Sequence, residues 1–228
     1  MAGLSGFQDV FSSSDHASAF EGQYTLVIPG AADPALGPFG TSYATVKVNS
    51  SGAVTLSGSL ADGTAISQSS VISQDGYWPM YVNLYGGNGS LWGTNIFANH
   101  TFTNASPLSW INATNSSKTA VYRSGFTNQN ATLTGGLLPS MPLPAGLTST
   151  LQQTNPPFTI SITDLSDNTN HLTLKTNKTT GVVTGTFAYP GSSKSGVKIN
   201  GVVLQGQQGV QGYFLGTNQS GAFIEGAP

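Results

Sequence analysis

Short runs of alternating apolar and polar residues follow one another along this 228-residue chain, separated by turns that contain glycine, asparagine or aspartate. The clearest pair is YATVKVNSSGAVTLSGSL at 43–60, where two alternating runs flank the turn at 49–52. Alternation places successive side chains on opposite faces of a strand, and a short polar turn joins antiparallel strands. The pattern predicts a hairpin with one face in a core and the other in water.

The next corner contains Asp62, the one charged residue in VTLSGSLADGTAISQSSVIS at 54–73. Its carboxylate could be a catalytic group in a polar cleft, or it could only stabilise the turn of a hairpin. Asp-Gly between alternating runs is a strong hairpin signal, because both positions must tolerate positive φ and an aspartate side chain can bond its own backbone. We interpret Asp62 as a turn residue.

Further strand patterns lie at 65–72, 77–84 and 90–97, and the helix formers Glu, Lys, Arg and Met are scarce. Turn signals recur at intervals of about 8 to 12 residues, which is typical of a meander that closes as a barrel or folds as a sandwich. We therefore predict an all-β chain of antiparallel, barrel-like or sandwich domains.

The pattern occurs twice. TVKVNSSGAVTLSGSLADG at 45–63 resembles TLKTNKTTGVVTGTFAYPG at 173–191, and VNLYGGNGSLWG at 82–93 resembles GYFLGTNQSGAF at 212–223. A repeat this long indicates duplication of a domain and not a solenoid of short units.

The domain prediction follows from this repeat. Residues 1–19 form an approach segment, 20–134 a first barrel-like domain, 135–157 a connection, and 158–228 a second, smaller β domain. The connection carries five of the twelve prolines and no charge, and proline restricts the backbone around it. The second copy is short, so we expect it to borrow strands from 108–134 or from the connection.

Composition restricts location and partners. Only 7% of residues are charged, and there is no cysteine, which excludes disulfides, thiolate metal sites and cysteine nucleophiles. A surface of hydroxyls and amides is typical of secreted or cell-surface proteins, and the missing cysteines favour a bacterial source.

Charges are thinly spread along the sequence, so we expect no nucleic acid partner. No apolar run approaches the roughly 18 residues of a membrane span, so no membrane insertion is expected.

Catalytic and metal motifs are scarce. No G-x-S-x-G elbow, H-x-x-x-H, dinucleotide or P-loop pattern occurs. DLSDNTNH at 164–171 offers Asp164, Asp167 and His171 as ligands, but it lacks the spacing of a calcium loop, and we favour a solvated hairpin loop. We predict no enzyme activity, no cofactor and no metal.

Five aromatic residues are candidates for stacking on a ligand such as a sugar: Trp78, Tyr81, Tyr85, Trp92 and Trp110. Barrels also fill their interiors with bulky rings, and a core position is the alternative for each. Strand alternation places Trp78 and Tyr81 on opposite faces, and it places Tyr81 and Tyr85 on the same face.

The N-terminal segment FQDVF, at residues 7–11, precedes the first strand. The low charge leaves few Lys or Glu side chains to protect sheet edges from pairing between chains. This segment could complete the sheet of another copy, it could dock on its own chain, or it could be a frayed terminus.

The motifs GQYTLVIPG, LSWIN, YRSGFTNQ and GVVLQGQQGVQGYFLGTNQSGAF, with the long hairpin run, resemble a domain near the C-terminal ends of long exported proteins of Verrucomicrobia and related bacteria. The resemblance extends from about residue 20 to 223. It implies a module of a secreted or surface protein whose partners are other domains of a longer parent, and it supplies no catalytic residues. Three functions are expected to compete: a non-enzymatic display module, a carbohydrate-binding module, and a self-assembling fibre subunit.

Overall fold

The computed structural model describes residues 11, 17, 19–114, 122–138, 147–163, 169–192, 196–204 and 209–226. Within these residues the secondary structure is β-strand, apart from a 3-10 turn at Tyr85–Gly87. The predicted all-β class is confirmed. In the part of the chain that the structure describes, no helix is long and apolar enough to cross a bilayer.

Seventeen strands are described, and all of their pairings are antiparallel. In chain order they are β1 Gly22–Ile28, β2 Ser42–Val48, β3 Ala53–Ser59, β4 Ala65–Val71, β5 Tyr77–Leu84, β6 Gly89–Ala98, β7 Thr101–Asn104, β8 Leu108–Asn112, β9 Phe126–Ala131, β10 Thr134–Leu137, β11 Thr148–Thr154, β12 Pro157–Ile162, β13 Thr173–Thr176, β14 Val182–Phe187, β15 Val197–Leu204, β16 Gly209–Leu215 and β17 Ser220–Gly226.

The first sheet contains β1 to β10 in the order β4-β3-β2-β1-β10-β7-β6-β8-β9, and β5 pairs with the other side of β6. The sheet curls until β4 lies beside β5. There Gln68 Nε2 and Ser70 Oγ of β4 both donate to the carbonyl oxygen of Pro79 in β5, at 3.3 and 3.2 Å. Side chains therefore bridge the closing seam of a barrel-like sheet.

Aromatic rings fill the barrel. Tyr24, Trp78, Phe97 and Phe102 are buried, and their ring centroids lie 4.8 to 5.9 Å apart in tilted or edge-to-face arrangements. Such geometries suit the positive edge and negative face of aromatic rings. The alternation of the strands therefore encloses one compact apolar core.

The approach segment covers one end of this barrel. Phe11 packs edge-on against Phe20, and the Ala17 N–H donates to the Ser50 carbonyl at 2.8 Å. Phe11 also lies over Gly52, where an added Cβ would come within 2.6 Å of the ring. Docking on its own chain, one of the three alternatives for this segment, is therefore observed at Phe11; residues 7–10 lie outside the described residues.

The second sheet contains β11 to β17 in the order β12-β11-β17-β16-β15-β14-β13. It bends around a core in which Phe158 of edge strand β12 packs on Phe187, Tyr189 and Phe214, at 5.4 to 6.4 Å between ring centroids. The sheet is thus a half-barrel whose open side is filled by side chains.

Two strands extend into the range assigned to the connection. The first sheet keeps β10 up to Leu137, and β11 begins at Thr148 and pairs with β12 and β17. As expected, the second sheet takes a strand from this range. Along the sequence, only residues 138–147 lie between the last strand of the first sheet and the first strand of the second.

The repeated hairpins share one turn chemistry. The side-chain oxygens of Asn49 and Asn177 each accept two backbone N–H hydrogen bonds of 2.9 to 3.2 Å. Each turn ends at a glycine with positive φ, +75° at Gly52 and +74° at Gly181, a conformation that a residue with a Cβ adopts at a cost. The β2–β3 and β13–β14 hairpins are therefore structural counterparts.

The outer faces of the two sheets pack against each other. The apolar contact consists of Val27, Tyr43 and Ala61 from the first sheet with Val202, Leu204 and Tyr213 from the second. Thr25 Oγ1 donates to the Val203 carbonyl at 2.6 Å, and the hydroxyls of Ser59 and Tyr213 lie 2.7 Å apart. The sheets form a joined unit because this interface is both apolar and hydrogen-bonded.

Candidate functional site

The structure separates the five aromatic candidates by exposure. Trp78 and Trp110 are 0% and 3% exposed, and Tyr85 is half-buried. Tyr81 and Trp92 are 60% and 47% exposed. Trp78 and Trp110 therefore take the alternative, a core position in the barrel, and neither ring is exposed for stacking on a ligand.

The prediction that Tyr81 and Tyr85 share one face is also wrong. Strand β5 ends at Leu84, and Tyr85 begins the 3-10 turn with a φ of +54°, which ends the alternation. Its hydroxyl donates to Asp62 Oδ2 at 2.6 Å and accepts from Trp110 Nε1 at 3.2 Å. Tyr85 is thus part of an internal network and does not face solvent with Tyr81.

Asp62 lies in the predicted turn, where its Oδ1 accepts from the Thr64 N–H at 2.9 Å. Its side chain is fully buried, which the sequence did not indicate. Burial, the charge of Asp62 and the hydrogen bond to it raise the pKa of Tyr85 well above its usual value. This network fixes the β3–β4 corner against the β5–β6 turn.

The exposed pair, Tyr81 on β5 and Trp92 on β6, consists of direct cross-strand partners. The Cβ atoms of such partners lie about 4.5 to 5.5 Å apart on the same face of a sheet. We refer to these two side chains as the aromatic platform. They place two large exposed aromatic side chains at neighbouring positions on the outside of the barrel.

The rim of the aromatic platform is polar and uncharged. Pro79 and Asn83 flank Tyr81 along β5, and Ser90 and Thr94 flank Trp92 along β6; Asn83 is exposed, and the others are half-buried. Residues 77–112 contain no Asp, Glu, Lys or Arg. The face therefore offers ring surfaces, an amide and hydroxyls without a formal charge.

The support under the platform is rigid. Strand β6 pairs with β5 on one side and with β7 and β8 on the other. On the inner face, Met80, Val82 and Leu91 are buried in the barrel core. A central, well-packed strand pair holds its outward side chains in place before any ligand arrives, which lowers the entropy lost on binding.

The possible metal cluster is only partly described. Asp164 and Asp167 lie outside the described residues, and His171 is exposed with a φ of +50°. Among the described residues, no group of three or more His, Asp or Glu side chains could hold a metal ion. The absence of a metal stays a prediction.

No protein-family model and no curated protein matches the sequence. Among solved structures, intact Ap-TbpB, with its N and C lobes, aligns with 91% of this chain at 9% identity and a TM-score of 0.20. The aligned part spans 60% of that chain. A likeness at this level does not establish a shared fold.

Proposed function

We propose that this chain is a non-catalytic extracellular module of a longer exported bacterial protein, and that it binds neutral carbohydrate on the aromatic platform. The observation that carries the proposal is the exposure of Tyr81 and Trp92 as adjacent partners on a face without formal charge. Large apolar side chains that are exposed together on a soluble protein mark interaction sites more often than single exposed ones.

The chemistry of the platform matches that of a sugar ring. The faces of aromatic rings carry partial negative charge, which attracts the C–H groups of a pyranose face. The surrounding amide and hydroxyl groups can exchange hydrogen bonds with sugar hydroxyls, as the few polar groups of small-molecule sites do. With no charge within 77–112, the face has no electrostatic preference for an acidic sugar.

The display part of the proposal rests on other observations. The low charge and the resemblance to C-terminal domains of exported Verrucomicrobia proteins support an extracellular location. The joined sheets support a rigid unit that presents one face outward from a longer parent protein.

The test is a screen of the full chain against neutral polysaccharides, such as β-glucan, mannan, xylan and dextran, by affinity electrophoresis and calorimetry. We expect one class to bind, and we expect Trp92→Ala and Tyr81→Ala each to weaken that binding at least about tenfold. Leu215→Ala and Ile224→Ala, which truncate exposed apolar side chains of the second sheet, are the matched controls and should bind like the parent. Failure to bind any neutral glycan, or equal losses in the controls, would overturn the carbohydrate function.

A further inference from the structure

A groove of about 490 Å³ runs along strands β13, β14 and β15 of the second sheet. The strand register aligns Lys175, Thr184 and Asn200 in one row across the three strands. It aligns Thr173, Thr186 and Lys198 in the neighbouring row. Residues two apart on a strand point to the same side, so the six polar side chains share one face.

The two lysines stand at opposite corners of this face. They are two strands apart and offset by one row, which corresponds to roughly 12 Å between their Cα atoms for ordinary strand spacing. Both side chains are exposed, and within the described part of the chain neither pairs with a carboxylate. On the same face, Thr173 and Thr186 bring their hydroxyl oxygens to 3.0 Å.

Lysines are concentrated in the sequence segment that supplies β13, β14 and β15. Residues 169–204 contain four of the seven basic residues of the chain and none of the nine acidic ones. The whole chain has a net charge of −2, so the sequence as a whole shows no basic character. Folding creates a local positive surface, because β13 and β15 both pair with β14 and so place Lys175 and Lys198, 23 positions apart in the sequence, on one face.

We propose that this groove binds a linear anionic polysaccharide, one with uronate or sulfate groups. Each lysine ammonium provides a compact positive charge for one acidic sugar. The threonine hydroxyls and the Asn200 amide provide donors and acceptors for the sugar hydroxyls between the two charges. Two separated lysines fit a repeating polyanion better than a single small anion, which one ammonium would satisfy.

Nucleic acid and protein partners fit this groove less well. Single-stranded nucleic acid binding relies on aromatic side chains that stack with bases, and the described lining of this groove contains none. Protein interfaces concentrate their energy in buried aromatic or arginine anchors, and the lining offers neither. This inference does not depend on the aromatic platform, which lies on the first sheet and has no charge.

The test measures binding of the full chain to polygalacturonate and to dextran sulfate by calorimetry, with uncharged dextran and the single-stranded oligonucleotide (dT)20 as comparison probes. We expect binding to a polyanionic polysaccharide at low salt that weakens as salt rises, since salt screens exposed charges. Lys175→Gln and Lys198→Gln should each reduce the affinity about fivefold, and the double variant should reduce it further. Lys47→Gln removes an exposed lysine from the first sheet and is the matched control.

Three results would overturn the proposal: no binding to either anionic polysaccharide at low salt, an equal loss of affinity in Lys47→Gln, or equal affinity for (dT)20. Trp92→Ala should leave polyanion binding unchanged, so this site and the aromatic platform can fail separately. Circular dichroism of each variant establishes that a loss of binding does not reflect unfolding.

Discussion

Tyr122 and Ser220 meet between the two sheets, where the Ser220 N–H donates to the Tyr122 hydroxyl at 2.9 Å and the two hydroxyl oxygens are also 2.9 Å apart. Both residues are buried, and the Gly40 N–H donates to Ser220 Oγ at 3.0 Å. Buried polar groups of one sheet are thus satisfied by groups of the other. We expect the two sheets to unfold together for this reason.

Tyr122→Phe should lower the free energy of unfolding by about 1 to 3 kcal/mol, because it removes the hydroxyl that accepts from the buried Ser220 N–H. Ser220→Ala should have a similar effect, and the double variant should lose less than the sum of the two. Urea denaturation measures all three, and Tyr81→Phe, which alters an exposed hydroxyl, is the control. Two separate transitions in the parent chain would contradict joint unfolding.

Asp62 and Asp33 are aspartates of two separate turns that can be compared directly. Each accepts a backbone N–H from two residues ahead at 2.9 Å, but Asp33 is exposed, whereas Asp62 is buried and also accepts from Tyr85. Asp62→Asn would remove the acceptor of the Tyr85 hydroxyl and should cost about 1 to 3 kcal/mol. Asp33→Asn should stay within about 0.5 kcal/mol of the parent. Equal effects in thermal or urea unfolding would show that the buried network contributes nothing.

The sequence predicted local structure well because local structure depends on neighbouring residues. Alternation identified the strands, and the Asn49 and Asp62 corners are turns, as their side chains indicated. Alternation also separates Trp78 from Tyr81, but it cannot say which face points outward, since that depends on how the sheet curls. The inward position of Tyr85 depends on one backbone angle beyond the end of the strand.

The candidate sites were harder to predict because they depend on register between strands. Tyr81 and Trp92 become neighbours through the β5–β6 pairing. Lys175 and Lys198 share a face only because β14 lies between their strands, and the sequence shows them as two isolated charges. The burial of Asp62 gave no sequence signal either, since a turn aspartate can accept the same backbone hydrogen bond when it is exposed, as Asp33 is.

The burial of Tyr213 should make the stability of the fold depend on pH in the alkaline range. Burial in the contact between the sheets raises the pKa of Tyr213 to about 12. The unfolded chain releases this proton near pH 10, so between about pH 10 and 12 the folded state binds more protons and the free energy of unfolding falls as pH rises. Tyr213→Phe should reduce that slope by about 1.4 kcal/mol per pH unit. Urea unfolding at several pH values would test this, and the slopes of variant and parent should agree below pH 9.

The Phe11 ring packs directly over Gly52 at the end of the barrel. Substitution of Gly52 therefore tests whether the approach segment is anchored to its own chain. Gly52 has a φ of +75°, and an added Cβ would lie 2.6 Å from the Phe11 ring, whereas Gly86, with a φ of +66°, has nothing within 4 Å of such an atom. Both alanine variants should lose about 1 kcal/mol through backbone strain, but only Gly52→Ala should displace Phe11.

Limited proteolysis should therefore cleave the N-terminal segment faster in Gly52→Ala than in Gly86→Ala or the parent. The same release would leave residues 7–11 available to pair with another copy, so light scattering of Gly52→Ala at rising concentration tests the strand-addition alternative. An increase in mass that disappears when residues 2–10 are deleted would support assembly through this segment. Equal cleavage rates in the two glycine variants would instead contradict anchoring by Phe11, because the contact that distinguishes them would then have no effect on the segment.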